Sequence, residues 1–270
     1  MNDSIRYDRP IKIAEGIYWV GFYDRITNFH CNPYLIIEED KAVLIDGGSR
    51  PDFAVVMMKI LQTGIDPKQI SALVYQHPDP DLCGSMSNMI DICDNPDLRI
   101  LSDATNNIFI TYYIEREKHN LLEPIDKYGY SYTFCGRTLQ FFKTPYCHSA
   151  GSFTTYDSKT KTLFSSDLFG SFSKEWDLFV KLDDECIECT DFDHCVKRRP
   201  YCPLPDIVDF HRKIMPSEKA LKYAMDMISH IDIDIIAPQH GSVFANRRDI
   251  NVLTKKLSLL TQVGIDALIK

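Results

Sequence analysis

No run of the roughly 18 to 20 apolar residues that a membrane-crossing helix needs occurs anywhere in the 270 residues. The opening stretch MNDSIRYDRPIKI lacks the apolar segment of a secretory leader, so a cytoplasmic location without a membrane partner is expected. Positive charge is also in short supply. Lys and Arg number 30 against 38 Asp and Glu, and the net charge of −8 argues against nucleic acid as a partner. Gly47-Gly48 is not followed by the lysine and hydroxyl of a phosphate-cradling loop, and no Gly-x-Ser-x-Gly elbow marks a serine nucleophile. Low-complexity tracts and internal repeats are missing too. With 44% hydrophobic and 25% charged residues, the chain has an ordinary globular composition and can bury a core without disulfide staples.

What is present begins with short apolar strands. Residues 16–22, 33–38, 42–45, 70–75, 138–143, 152–157, 162–165 and 233–237 read as strands. Ser49 and Pro51 open a helix to about Leu61, and Ser217 opens another to about Ser229. Strands alternating with helices give an α/β class, and the early strand–turn–strand units predict mixed rather than purely parallel sheets. An irregular cysteine-bearing insertion is placed at about 170–216. Residues 108–114 read as a core helix face. A main domain over 1–248 is followed by a C-terminal helix over 249–270. Its apolar seam of Ile250, Leu253, Leu257 and Leu260 suits packing on the domain, a dimer seam, or a lead-in to a further domain.

The strongest motif is Gln76-His77-Pro78-Asp79-Pro80-Asp81-Leu82-Cys83-Gly84, directly after the strand at 70–75. His77, Asp79 and Asp81 alternate, so an extended loop can fold them around one point. His148, Asp167 and His240 each follow another apolar strand. Open α/β sheets bind ligands at such strand ends, and imidazole with carboxylate suits iron, zinc or manganese. One such residue alone reads as a structural hydrogen bonder; six in four post-strand loops read as a metal site.

That constellation resembles the metallo-β-lactamase superfamily, whose first motif is His-x-His-x-Asp-His, followed by single His, Asp and His ligands. Here the order is His77-x-Asp79-x-Asp81-Leu82, then His148, Asp167 and His240, and the resemblance spans about 13–244. Asn32-Pro33-Tyr34-Leu35 and Asp46-Gly47-Gly48 look like its early strands. Zinc hydrolases carry His at the second position. The flavodiiron proteins and the related oxygen-binding diiron sensor domains (ODP-like) carry a carboxylate there, and Asp79 follows that branch. So do Phe164-Ser165-Ser166-Asp167-Leu168-Phe169-Gly170 and Trp176-Asp177-Leu178-Phe179.

The resemblance implies an αββα sandwich of two mixed β-sheets flanked by helices, a homodimer, and two iron ions that bind or reduce dioxygen or nitric oxide. His77, Asp79 and His148 would hold one iron, Asp81 and His240 the other, and Asp167 would bridge. No catalytic residue is assigned apart from these ligands. The sequence departs from the family at Asp79, shorter than the usual Glu, and at Leu82, where the second iron's His is expected. Cys83 and Cys147 flank ligand positions and are candidate extra ligands; otherwise they are small buried hydrophobes.

Nine cysteines are too few for a disulfide scaffold, and in a reducing compartment clustered thiols point to metal. Cys186-x2-Cys189-x5-Cys195-x6-Cys202 is such a cluster, suited to an iron–sulfur centre or a structural zinc, with His194 as an alternative ligand. The residues after Phe244 are too few for the flavodoxin-like domain that feeds electrons to flavodiiron enzymes. Three functions stay open. The chain is a diiron sensor of gas or redox state working with a downstream signalling domain. Or it is a diiron oxidoreductase fed by the cysteine cluster or by an electron donor protein. Or it is a zinc hydrolase.

Overall fold

The computed structural model describes residues 5–24, 26, 29–173, 175–187, 189 and 202–269. The chain divides into two compact units, Met1–Phe141 and Phe142–Lys270.

The first unit contains β1 (Ile11–Ala14), β2 (Ile17–Trp19), β3 (Phe22–Asp24), β4 (Phe29–Cys31), β5 (Tyr34–Glu38), β6 (Lys41–Ile45) and α1 (Phe53–Gln62). Next come β7 (Ile70–Val74), α2 (Pro80–Cys83), α3 (Met86–Cys93), β8 (Arg99–Ser102), α4 (Ala104–Ile110), β9 (Leu122–Pro124), β10 (Ser131–Phe134) and β11 (Arg137–Lys143), which crosses the division. A seven-stranded sheet runs β1-β2-β5-β6-β7-β8-β9. The first four strands pair antiparallel, whereas β6 to β9 are parallel, with Leu44 beside Leu73 and Leu73 beside Ile100. Every residue of β7 is buried, which explains its continuous apolar run. Val56 and Ile60 of α1, Leu73 of β7 and Met86 and Met89 of α3 join one core. Inside it lies Lys59, whose ammonium donates to the Gly21 carbonyl and sits 4.0 Å from the centroid of the Trp19 ring; burial lowers it to about 8.

The second unit contains β12 (Phe153–Asp157), β13 (Thr162–Phe164), α5 (Asp184–Ile187), α6 (Pro203–Ile214), α7 (Glu218–Ser229), β14 (Ile235–Ala237) and α8 (Arg247–Ser258). β12 pairs antiparallel with β13, and β13 pairs parallel with β14. Mixed pairing flanked by helices is therefore the rule in both units, as the sequence predicts. Among the described residues no helix is long and apolar enough to cross a membrane.

Four local expectations are corrected. Helix α1 starts at Phe53, because the Ser49 hydroxyl donates to the Asp52 carboxylate instead of capping a helix at its own position. The 170–216 insertion contains the twelve-residue helix α6, with Pro203 in its first turn, where proline is tolerated. The expected 249–270 helix is α8, which ends at Ser258 and is followed by a 3-10 turn at Ile265–Ala267. Its seam residues Ile250, Leu253, Leu257 and Leu260 pack into the second unit's own core. Within 108–114, Ile110 and Ile114 are buried, but Ile108, Phe109 and Tyr112 face solvent.

Candidate metal centre

In the first unit the motif after β7 is fixed from below before any ligand is considered. Asp46 follows β6 in a left-handed conformation, φ 56°. Its buried carboxylate accepts from the Gln76 backbone N–H and side-chain amide, both at 3.1 Å. The Gly47 N–H donates to the Leu82 carbonyl at 2.9 Å, and Ser85 Oγ to the Gly47 carbonyl at 2.8 Å. A Cβ on Gly47 would stand 2.8 Å from both Ser85 Oγ and Tyr75 Oη, so the close approach requires glycine. Tyr113 Oη donates to the Pro78 carbonyl at 3.0 Å.

On this frame His77 is almost wholly buried, with its Nε2 3.8 Å from Asp79 Oδ2. Asp79 is the N-cap residue of α2, and Asp81 lies in that helix's first turn. Leu82 is fully buried in the first unit's core. The adjacent thiols act as donors. Cys83 Sγ donates to the His77 carbonyl at 3.5 Å, and Cys31 Sγ to the Asp81 carbonyl at 3.2 Å. Burial holds the Cys83 thiol well above its ordinary range.

In the second unit three donors converge. Asp167 Oδ2 lies 3.1 Å from His148 Nε2, and Asp167 Oδ1 lies 3.8 Å from His240 Nε2. Asp167 sits in a tight turn after β13, where Ser166 (φ 55°) and Phe169 (φ 66°) are left-handed and the Gly170 N–H returns to the Asp167 carbonyl at 3.0 Å. His240 follows β14, and the Gln239 N–H donates to the Ser166 carbonyl at 2.8 Å, tying the two turns together. Trp176 Nε1 donates to the Gly241 carbonyl at 2.9 Å. Cys147, beside His148, donates to the Ala220 carbonyl at 3.4 Å, and burial, with the nearby Asp167 charge, pushes its thiol up to about 12.

Gly241 has φ +86°, and a Cβ there would meet Ser171 Oγ at 2.6 Å and Ser171 N at 2.9 Å. Gly241→Ala is therefore expected to cost about 1–3 kcal/mol. The melting temperature should fall by about 2–4 °C per kcal/mol. Calorimetry of the metal-free protein checks this, and an unchanged melting temperature would show that the turn yields without strain.

The cysteine-rich segment is less complete. Cys186 is buried in α5, Cys202 caps α6, and Cys189 packs on the second unit's core; Cys195 and His194 lie outside the described residues. Cys186, Cys189 and Cys202 do not form a group with ligand atoms within 4.8 Å of one another among the described residues. Sequence reasoning missed His211 of α6 altogether. Its Nε2 accepts from the Phe169 N–H at 3.0 Å, and its Nδ1 donates to the Ile207 carbonyl at 2.7 Å. No spacing signal reveals it, because the partner turn lies 42 residues away.

The second unit offers two imidazoles and a carboxylate, and the first unit one imidazole and two carboxylates; oxygen and nitrogen donors of these kinds suit iron. The uncharacterized protein MJ0732 of Methanocaldococcus jannaschii is 27% identical over 256 residues, taking in 91% of this chain and 59% of that protein. The nitric oxide reductase of Moorella thermoacetica is 27% identical over 250 residues, or 87% of this chain and 58% of that one. The chain thus spans about three-fifths of the length of these curated relatives. Among solved structures, the apo state of the chemotaxis sensor ODP from T. denticola superposes with a TM-score of 0.75 at 24% identity, covering 96% of each chain. The flavodiiron protein from Giardia intestinalis gives a TM-score of 0.75 at 19% identity, covering 94% of this chain and 60% of that one. These likenesses show a metallo-β-lactamase-like α/β fold. The family model described as ODP family beta lactamase matches residues 29–241, most of the chain, which therefore belongs to the ODP family of beta-lactamase-like proteins.

Proposed function

We propose that this protein is a non-haem diiron protein that binds dioxygen or nitric oxide and acts as a gas or redox sensor domain. The observation that carries the reading is Asp167. Its two carboxylate oxygens each face a different imidazole, His148 at 3.1 Å and His240 at 3.8 Å, the disposition of a carboxylate shared between two cations. In this reading His77, Asp79 and His148 hold one iron, Asp81 and His240 the other, and Asp167 bridges. An iron pair held there would supply redox chemistry toward a diatomic gas, giving up electrons to it and being restored by a separate electron donor.

The remaining steps belong to the chain. The negative charges of Asp79, Asp81 and Asp167 offset the positive charge of the two cations. The buried thiols of Cys83 and Cys147 hold the ligand loops by donating to backbone carbonyls rather than ligating. Leu82 has no donor atom, so the cation at Asp81 and His240 would have one protein ligand fewer than the family pattern implies. The sensor reading is supported by the likeness to the chemotaxis sensor ODP from T. denticola, whose chain is covered to 96%. The alternative is an oxidoreductase that reduces the same gases, fed by an electron donor protein or by a centre at Cys186, Cys189, Cys195 and Cys202. The zinc hydrolase reading is weaker, since Asp79 and Leu82 replace two of its imidazoles. A cytoplasmic homodimer coupled to a signalling domain completes the proposal.

Metal and acid-labile sulfide analysis of protein purified without oxygen tests it. Two irons per chain without sulfide are expected from the diiron centre alone. Additional iron with sulfide would establish the cysteine-ligated cluster and favour electron transfer. Zinc without iron, from cells well supplied with both, would overturn the diiron reading.

A further inference from the structure

We propose that α6 clamps the two metal-bearing turns of the second unit, with His211 as a positioning residue that ligates nothing. The inference rests on the diiron reading for its consequence, but the clamp itself is geometric. His211 is fully buried, and its ring spans from its own helix to the Asp167 turn. Nδ1 donates to the Ile207 carbonyl one turn back, which fixes the neutral tautomer and leaves Nε2 to accept from the Phe169 N–H. Phe169 adopts a left-handed conformation, φ 66°, and its N–H points away from any regular ladder; His211 satisfies it. Burial lowers the imidazole to about 4, consistent with an acceptor nitrogen.

The preceding residue reaches the second turn. The Phe210 ring lies 6.0 Å from the His240 ring and 4.8 Å from Phe172, which itself lies 5.2 Å from His240. A Cβ on Gly170 would meet Phe210 Cε1 at 2.9 Å, so the ring seats directly on the Asp167 turn. Adjacent residues of one helix thus grip the turns, Phe210 with its ring against both and His211 with one hydrogen bond to the Asp167 turn. The helix is itself anchored. Leu204, Ile207 and Val208 are buried in the core, and the Gly264 N–H donates to the Arg212 carbonyl at 2.8 Å. Its N-cap is Cys202, so the cysteine-bearing segment leads directly into the clamp.

The test compares the full-length wild type with His211→Phe and His211→Gln. Phenylalanine keeps the ring volume and removes the acceptor, whereas glutamine returns an amide oxygen to the Nε2 position. In metal-free protein, amide exchange over 166–170 should accelerate by roughly tenfold or more in His211→Phe and return toward wild type in His211→Gln. With Co(II) as probe under equilibrium dialysis, His211→Phe should bind the second ion about 10–100-fold more weakly and shift the cobalt visible spectrum, with glutamine rescuing both. A melting temperature lowered equally in both variants, with wild-type exchange at 166–170 and a wild-type cobalt spectrum, would overturn the clamp. Should His211→Phe fail to fold, Phe210→Leu tests the same clamp through the cobalt spectrum and the exchange of the 166–170 amides. A wild type that binds no paired cobalt would sink the diiron reading, while the exchange data would still decide the clamp.

Discussion

Asp167→Ala is expected to abolish the metal pair. The carboxylate is nearly inaccessible, 2% exposed, and faces both His148 and His240. Two cations a few ångströms apart repel each other strongly in a low-dielectric site, and a shared anion is what makes double occupancy favourable. In the proposed assignment, alanine removes that charge and one ligand of each ion at a stroke. Groups that merely orient ligands command about 10–100-fold in metal affinity, so loss of a shared ligand should exceed that range for the second ion. Iron content should fall from two per chain to one or fewer. Asp167→Asn keeps the volume and one acceptor oxygen without the charge, and is expected to fall between wild type and alanine. Iron analysis after anaerobic reconstitution decides the matter: full loading of the alanine variant would remove Asp167 from the site.

The placement of the proposed ligands just after strands was legible in the sequence because each placement is local. The apolar run ending at Tyr75 sets a buried strand whose register is fixed by its neighbours, and the loop after it has no freedom to place His77 elsewhere. The same holds for Asp167 after β13 and His240 after β14. The missed parts depend on long-range contacts or on side chains with two local uses. Ser49 looks like a helix cap, yet its hydroxyl finds Asp52 first. Helix α6 was hidden behind prolines and cysteines that suggest irregular chain, although proline in a first turn begins a helix well. The exposed ring of Tyr112 shows that an apolar run at helical spacing need not face a core. The division into two units has no composition break to mark it, because β11 runs through it as an ordinary alternating strand.

Leu82→His is expected to do the opposite of Asp167→Ala and tighten the second ion. Leu82 stands where the family resemblance implies an imidazole, at the C-terminal end of the same short helix whose first turn carries Asp81. Its backbone is held at both ends, by its own N–H to the Asp79 carbonyl at 3.1 Å and by the Gly47 N–H to its carbonyl at 2.9 Å, so a substituted side chain starts from a fixed origin. Without metal the variant should be less stable. Removing a fully buried leucine forfeits about 1.5–3 kcal/mol of apolar burial, and an unsatisfied imidazole adds to the loss. Metal should reverse the order. An added nitrogen ligand is expected to raise second-site affinity by at least about tenfold, or about 1.4 kcal/mol. The melting temperature should then rise more on metal addition than it does in wild type, because only the folded state gains the ligand. Leu82→Asn is the control, since it places a polar group at the same position without the imidazole. A histidine variant that loses stability like asparagine and gains nothing from iron would mean that position 82 serves the core alone, and that the second ion is completed by some other group.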